Sequence, residues 1–189
     1  DGVVQPGATV QLGLRDWQVH AAPGHDPHSV VLFEPQRRLL ISADALWERG
    51  FGVVFPELEG EQAFAEVEAT LEVIEQLQPE WVLPGHGGMF SDVAGALAVA
   101  RKRLADFQAD PQRHAQYAAK VLLKYKLLEW QQASCQQVQD WCASTPLMQQ
   151  MRQRYFADQD PVAWVLALLQ ALAAARAVVW EGDQVRNVD

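Results

Sequence analysis

The chain opens in short apolar and polar alternations and ends in helical periods. Thr9-Val10-Gln11-Leu12 and Trp17-Gln18-Val19-His20 alternate at period two on either side of the turn-like residues 13–16, which is the pattern of half-buried strands. Residues 29–33 and 39–42 flank the polar turn Glu34-Pro35-Gln36-Arg37-Arg38, so the first forty-odd residues predict a meander of four strands. Over 61–77 the period changes. Phe64, Val67, Leu71, Ile74 and Leu77 recur at three and four, with Glu66, Glu68, Glu72 and Glu75 mostly off that stripe, and an amphipathic helix covering a sheet is expected. Pro79 stops it, Trp81-Val82-Leu83 predicts a short buried strand, and Pro84-Gly85-His86-Gly87-Gly88 predicts a loop. Ser91 or Asp92 then caps a second helix, which closes at Asp110-Pro111.

Beyond Pro111 the spacing predicts helices over 112–131, 135–143 and 161–175, followed by a hairpin of 177–180 and 184–186 that turns at Gly182-Asp183. No repeat or low-complexity tether interrupts the chain. Two domains are expected, 1–110 and 111–189.

With 189 residues, 49% of them hydrophobic and 21% charged, the chain can bury a core, and disordered or collagen-like readings fail. The longest apolar run, 161–180, is broken by Gln170 and Arg176, so no membrane span is expected. The opening Asp1-Gly2-Val3-Val4 has neither the basic nor the apolar region of a secretory signal. Cys135 and Cys142 are too few for a disulfide framework, and a cytoplasmic location is expected. The net charge of −9 is uneven: residues 1–110 hold 7 basic and 17 acidic side chains, residues 111–189 hold 8 and 7. That asymmetry sets off two units, and the acidic body disfavours a polyanionic partner.

Three segments place a metal-ligand type at the end of a predicted strand: His25 in Ala22-Pro23-Gly24-His25, Asp44 in Ile41-Ser42-Ala43-Asp44, and His86 in Leu83-Pro84-Gly85-His86. A Pro-Gly step before each histidine bends the backbone away from the strand and turns the imidazole toward the sheet edge. Each residue alone has an ordinary reading, a turn histidine or a capping aspartate. Together, two imidazoles and a carboxylate suit zinc, manganese or iron, and a carboxylate can bridge two such ions while a bound water is activated. Trp47, Phe51 and Phe55 follow Asp44 around Gly50 and Gly52 as an apolar loop, which suits either a substrate pocket or packing. His20 is expected to be structural, His114 solvated, and Arg101-Lys102-Arg103 a solvated helix face, with a phosphate patch as its alternative.

The ordered set over about 5–90 resembles the second half of the metallo-β-lactamase fold, the hydrolase family that includes glyoxalase II and β-lactamase-like endoribonucleases. That resemblance implies an α/β (α+β) fold, the second half of an αββα sandwich. It puts His25 on one metal position, His86 on the other and Asp44 between them, with two zinc ions in the intact protein. A metal-bound hydroxide would there attack a small ester or thioester-type substrate. The family's His-x-His-x-Asp-His, which carries most of the ligands and the water-orienting aspartate, is absent; the histidines are His20, His25, His28, His86 and His114. The chain is therefore expected to be the C-terminal portion of a longer hydrolase, to hold metal weakly or not at all by itself, and to be inactive alone, with no catalytic residue assigned beyond the ligands. Ala43 stands where the family usually has glycine, and Ser29 stands where it usually has a second histidine.

Residues 112–189 resemble the winged-helix domain that some of these hydrolases carry, giving a mostly helical second domain. Its third helix offers almost no Arg, Lys, Asn or Gln to read base edges. Packing, or contact with a second copy in a homodimer, is expected ahead of nucleic acid, and a small molecule is the expected substrate. Two rival classes stand beside the enzyme: a module that binds nucleic acid or a partner protein, and a metal-free dimerising remnant.

Overall fold

In the computed structural model, which describes residues 3–188, the chain forms two units, Asp1–Ala109 and Asp110–Asp189. The first is mixed α/β around one sheet. Strands β1 (Thr9–Leu12), β2 (Arg15–Ala21), β3 (Val30–Glu34), β4 (Leu39–Ala43) and β5 (Trp81–Pro84) lie in that order. The first four form the antiparallel meander, and β5 joins β4 in parallel. A parallel partner needs a crossover, which here carries α1 (Phe55–Glu59) and α2 (Ala63–Leu77), while α3 (Val93–Ala109) follows β5.

Register decides what each face buries. Phe33 pairs with Leu40 and Leu40 with Val82, and these residues, with Val31, are buried. On the other face Leu32 pairs with Ile41 and Ile41 with Leu83, and all three are partly exposed. The strand at 81–84 is thus not buried throughout as its composition suggested: it is the sheet edge, with Trp81 40% and Leu83 37% exposed.

Helix α2 turns Phe64, Val67, Leu71 and Ile74 of the expected stripe inward, leaves Leu77 only partly buried, and adds buried Thr70. It starts at Ala63, and the Phe64 amide donates to the Glu57 carboxylate at 2.9 Å. Arg101 of α3 reaches back to Glu75 of α2 at 2.7 Å, and that guanidinium holds the Glu75 carboxyl below its usual range. Helix α1 escaped the pattern reading because five residues are too few to show a helical period.

Strand β4 ends in a bulge between Ile41 and Ala43, and Ala43 sits at φ 46°. A Cβ in the left-handed region is costly, and glycine is not so penalised. Ala43→Gly is expected to raise stability by up to about 1 kcal/mol, read as a higher urea midpoint at unchanged slope.

The second unit contains α4 (Pro111–Trp130), β6 (Gln132–Ser134), α5 (Cys135–Ser144), α6 (Pro146–Tyr155), α7 (Pro161–Ala174), β7 (Val178–Glu181) and β8 (Gln184–Asn187). Its sheet runs β6-β8-β7, antiparallel throughout. Asp110 accepts the Arg113 amide at 3.0 Å and caps α4, so it belongs to this unit and not to the first. The sequence reading had three helices and a hairpin. It lacked α6, where only Met148 and Met151 are buried among polar neighbours, and β6, which is three residues long. His114, expected to be solvated, is 1% exposed on the inner side of α4. Leu123, Leu127, Val138, Met148, Met151, Trp164, Leu168 and Val185 form the core, and Lys124 ties α4 to the chain end through Asn187 and the Ala177 and Val188 carbonyls. Among the described residues no helix is long and apolar enough to cross a membrane.

Candidate metal centre

Three loops leave the same edge of the first sheet and meet at Asp44. The Pro23-Gly24 turn after β2 is fixed to α2, where the Thr70 hydroxyl donates to the Pro23 carbonyl at 2.9 Å. Gly24 adopts φ +126°, and a Cβ there would lie 2.5 Å from the Val67 side chain, so only glycine lets the turn approach the helix this closely. The turn delivers His25. Its Nδ1 lies 2.6 Å from the Val53 carbonyl, a bond in which the ring N–H donates, and its Nε2 lies 3.3 Å from Asp44 Oδ2. With Nδ1 donating, Nε2 presents a lone pair to a carboxylate oxygen. A cation or a proton completes such a pairing.

Asp44 follows the left-handed turn at Ala43, and His86 follows β5. His86 Nδ1 lies 3.0 Å from Asp44 Oδ1, while the Trp47 indole N–H donates to that same oxygen at 3.1 Å. The Trp47 and His86 rings are 4.8 Å apart. The parallel β4–β5 pair brings the two loops together, and the Gly85 amide donates to the Ala43 carbonyl at 2.7 Å to close the junction. The structure therefore gathers His25, Asp44 and His86 at one place. The imidazoles lie against different oxygens of the carboxylate, as a bridging ligand requires.

Number of ligands is a separate matter from their kind. Among the described residues no group of three or more His, Cys, Asp and Glu is placed to hold one metal ion. Each imidazole shares only Asp44, so each candidate position has two protein ligands where zinc takes four. The donor types fit divalent metal, and the coordination sphere is half built.

Sequence reasoning missed two glycines that make room for these side chains. A Cβ on Gly52 would lie 2.7 Å from His25 Nδ1 and 2.9 Å from Asp44 Cβ, and one on Gly85 would lie 2.9 Å from Asp44 Oδ1. The recurrence of glycine beside each ligand was the available signal. Of the apolar loop, Trp47 is beside the carboxylate and Phe55, partly buried, opens α1. Phe51, for which a pocket and packing stand as alternatives in the sequence, packs: it is 1% exposed in the core and not at a pocket wall, edge-on to Phe107 at 6.5 Å with the Arg103 guanidinium 5.4 Å from its ring. The cationic triplet is engaged too, since Arg101 pairs with Glu75 and Lys102 with Asp106.

The cysteines offer no nucleophile. Burial pushes the Cys142 thiol up to about 12, and burial chiefly raises Cys135 as well. Thiolate is the reactive form. Alkylation of Cys142 by iodoacetamide at pH 8 is expected to run about a thousandfold slower in the folded protein than in urea, measured by mass spectrometry of the labelled peptide.

Residues 1–86 match the Metallo-beta-lactamase superfamily, a match that ends at His86. The acyl-coenzyme A thioesterase MBLAC2 of Bos taurus is 30% identical over 88 residues, covering 47% of this chain and 32% of that protein, and the Homo sapiens protein is 28% identical over 88 residues. The chain thus spans about a third of the length of these curated relatives. A beta-lactamase domain protein of Burkholderia ambifaria covers 98% of this chain at 24% identity and TM-score 0.49, with 52% of that structure matched. A metallo-beta-lactamase family protein of Thermus thermophilus covers 98% at 19% identity and TM-score 0.47, with 54% of that structure matched. The sequence match falls on the unit that carries His25, Asp44 and His86, and over that unit the chain is similar to the Metallo-beta-lactamase superfamily.

Proposed function

We propose that the whole protein is a metal-dependent hydrolase of an acyl ester or thioester, with this chain supplying one half of its metal centre. One observation carries the reading: the Asp44 carboxylate lies between two imidazoles, His25 on Oδ2 and His86 on Oδ1. Zinc bound there would supply Lewis acidity and an activated water. His25 and His86 would hold the two positions and Asp44 would bridge them. Val53 fixes the His25 ring through its carbonyl, and Trp47 orients Asp44 through its indole N–H. The partly exposed apolar sheet face of Leu32, Ile41 and Leu83 suits a second sheet in the whole protein, which would also bring the remaining ligands.

The likeness to an acyl-coenzyme A thioesterase supports the thioester class. So does the acidic first unit, which disfavours RNA. A small molecule is the substrate in this reading. Trp47 and Phe55 remain its apolar contacts. The second unit we read as winged-helix-like, from its order of α4, β6, three helices and the β7–β8 hairpin. Because α7 carries Gln170 and no Arg, Lys or Asn, this unit packs or pairs with a second copy and does not read DNA. Two free thiols fit a reducing, cytoplasmic setting.

The test is to titrate zinc into the metal-stripped whole protein against a chromogenic chelator while following hydrolysis of a short acyl thioester. Hydrolysis that rises with zinc uptake supports the reading. Zinc uptake without cleavage of any ester or thioester rejects the substrate class, and no uptake rejects the metal centre.

A further inference from the structure

One loop supports the two imidazoles of the candidate centre, and it does so by different means. Residues 44–53 follow β4 and are anchored at their base by buried Leu46 and Phe51. The Ser42 hydroxyl donates to the Leu46 carbonyl at 2.6 Å, the Trp47 amide to the Gly50 carbonyl at 2.7 Å, and the Gly52 amide to the Asp44 carbonyl at 2.8 Å. The loop is closed on itself, so the groups it presents are held in place. To His25 it presents a hydrogen bond, the Val53 carbonyl on Nδ1 at 2.6 Å. Such a bond sets both the tautomer and the direction of a ligating ring.

His86 has no such bond. Among the described residues its ring has one polar partner, Asp44 itself, and its side chain is 57% exposed between Gly85 and Gly87. What lies against the ring is Trp47, with centroids 4.8 Å apart and planes tilted by 41°. The same indole donates its N–H at 3.1 Å to Asp44 Oδ1, the oxygen that His86 faces. That oxygen has two lone pairs, so it can take the N–H and still offer the second to a cation. Asp44 Oδ2, on the His25 side, meets no indole. We infer that Trp47 is the positioning residue of the His86 side of the centre alone: its ring backs the imidazole and its N–H fixes the facing oxygen, while the His25 side stands on Val53. This rests on the metal reading above and adds to it that the two ions are supported separately. Outer contacts of this kind change metal affinity by about 10- to 100-fold.

Zinc affinities of the metal-stripped whole protein, read by competition with a chromogenic chelator, test this without recourse to activity. His86→Ala removes one position, and the ion it retains identifies the affinity of the His25 side. Trp47→Leu loses both ring and N–H. It is expected to weaken the His86-side ion about 10- to 100-fold and to leave the other within about twofold. Trp47→Phe keeps a ring against His86 and loses only the N–H, so its His86-side affinity is expected to fall between those of the parent and Trp47→Leu. A urea unfolding curve on each variant shows that the fold is kept. Equal weakening of both ions makes Trp47 a residue of the fold and overturns the proposal, as does a Trp47→Leu protein that binds both ions like the parent. Uptake of fewer than two ions by the parent removes the two-metal reading and this assignment together, whereas two ions held equally well without Trp47 remove the assignment only.

Discussion

Asp44→Asn in the whole protein is expected to lower hydrolysis by about 100-fold or more, together with its metal content. The substitution keeps the shape that accepts the Trp47 indole N–H at 3.1 Å, yet removes the charge that both imidazoles face. The Asp44 side chain is 28% exposed and the change is isosteric, so folding stability should change by less than about 0.5 kcal/mol. Metal analysis, kcat/KM and a urea unfolding curve on one preparation separate these effects. Full activity at full metal content would remove the centre from consideration. Loss of fold alongside loss of metal would make Asp44 a structural residue instead.

Gly24→Ala should produce the largest stability change, a loss of about 2–5 kcal/mol. Two costs coincide there: φ of +126°, and a new Cβ 2.5 Å from the Val67 side chain and 3.0 Å from the Val67 amide. Helix α2 is anchored by buried Phe64, Leu71 and Ile74 and does not yield, so the turn must move and carry His25 away from Asp44. Gly60→Ala is the comparison. Its φ is +101° with nothing within 4 Å of the added Cβ, so only the backbone cost of about 1 kcal/mol remains. Thermal or chemical unfolding of the two variants separates close approach from backbone strain, and equal losses would show that the contact with Val67 contributes nothing.

What the sequence could show depended on local regularity. Period-two alternation marked β1 and β2, the two runs flanking the polar turn at 34–38 marked β3 and β4, all within a residue or two, and the stripe of Phe64, Val67, Leu71 and Ile74 marked α2. The three ligand candidates were legible because a Pro-Gly step or a strand end framed each of them. Features set by partners distant in the chain were not. No local pattern shows that Trp81 and Leu83 lie at a sheet edge, that Phe51 turns inward against Phe107, or that the Val53 carbonyl accepts from His25. His114 was misjudged for the same reason, since a polar residue near a helix start gives no sign of which way that helix will turn its inner side. The missing α6 has another cause, for its glutamines and arginines dilute an apolar stripe made by two methionines.

The junction of β4 and β5 makes the chemistry more fragile than the fold. Asp44 and His86 are 42 positions apart in sequence, and they meet only while the last strand stays docked. That strand is held by β4 on one side and by the Val82–Phe90 bridge on the other, at 2.9 and 3.1 Å. Fraying of this margin would carry His86 away while the antiparallel meander remained closed. Amide exchange at Val82 and Phe90 should then outpace exchange within β2 and β3, and warming should silence the centre several degrees before the protein melts.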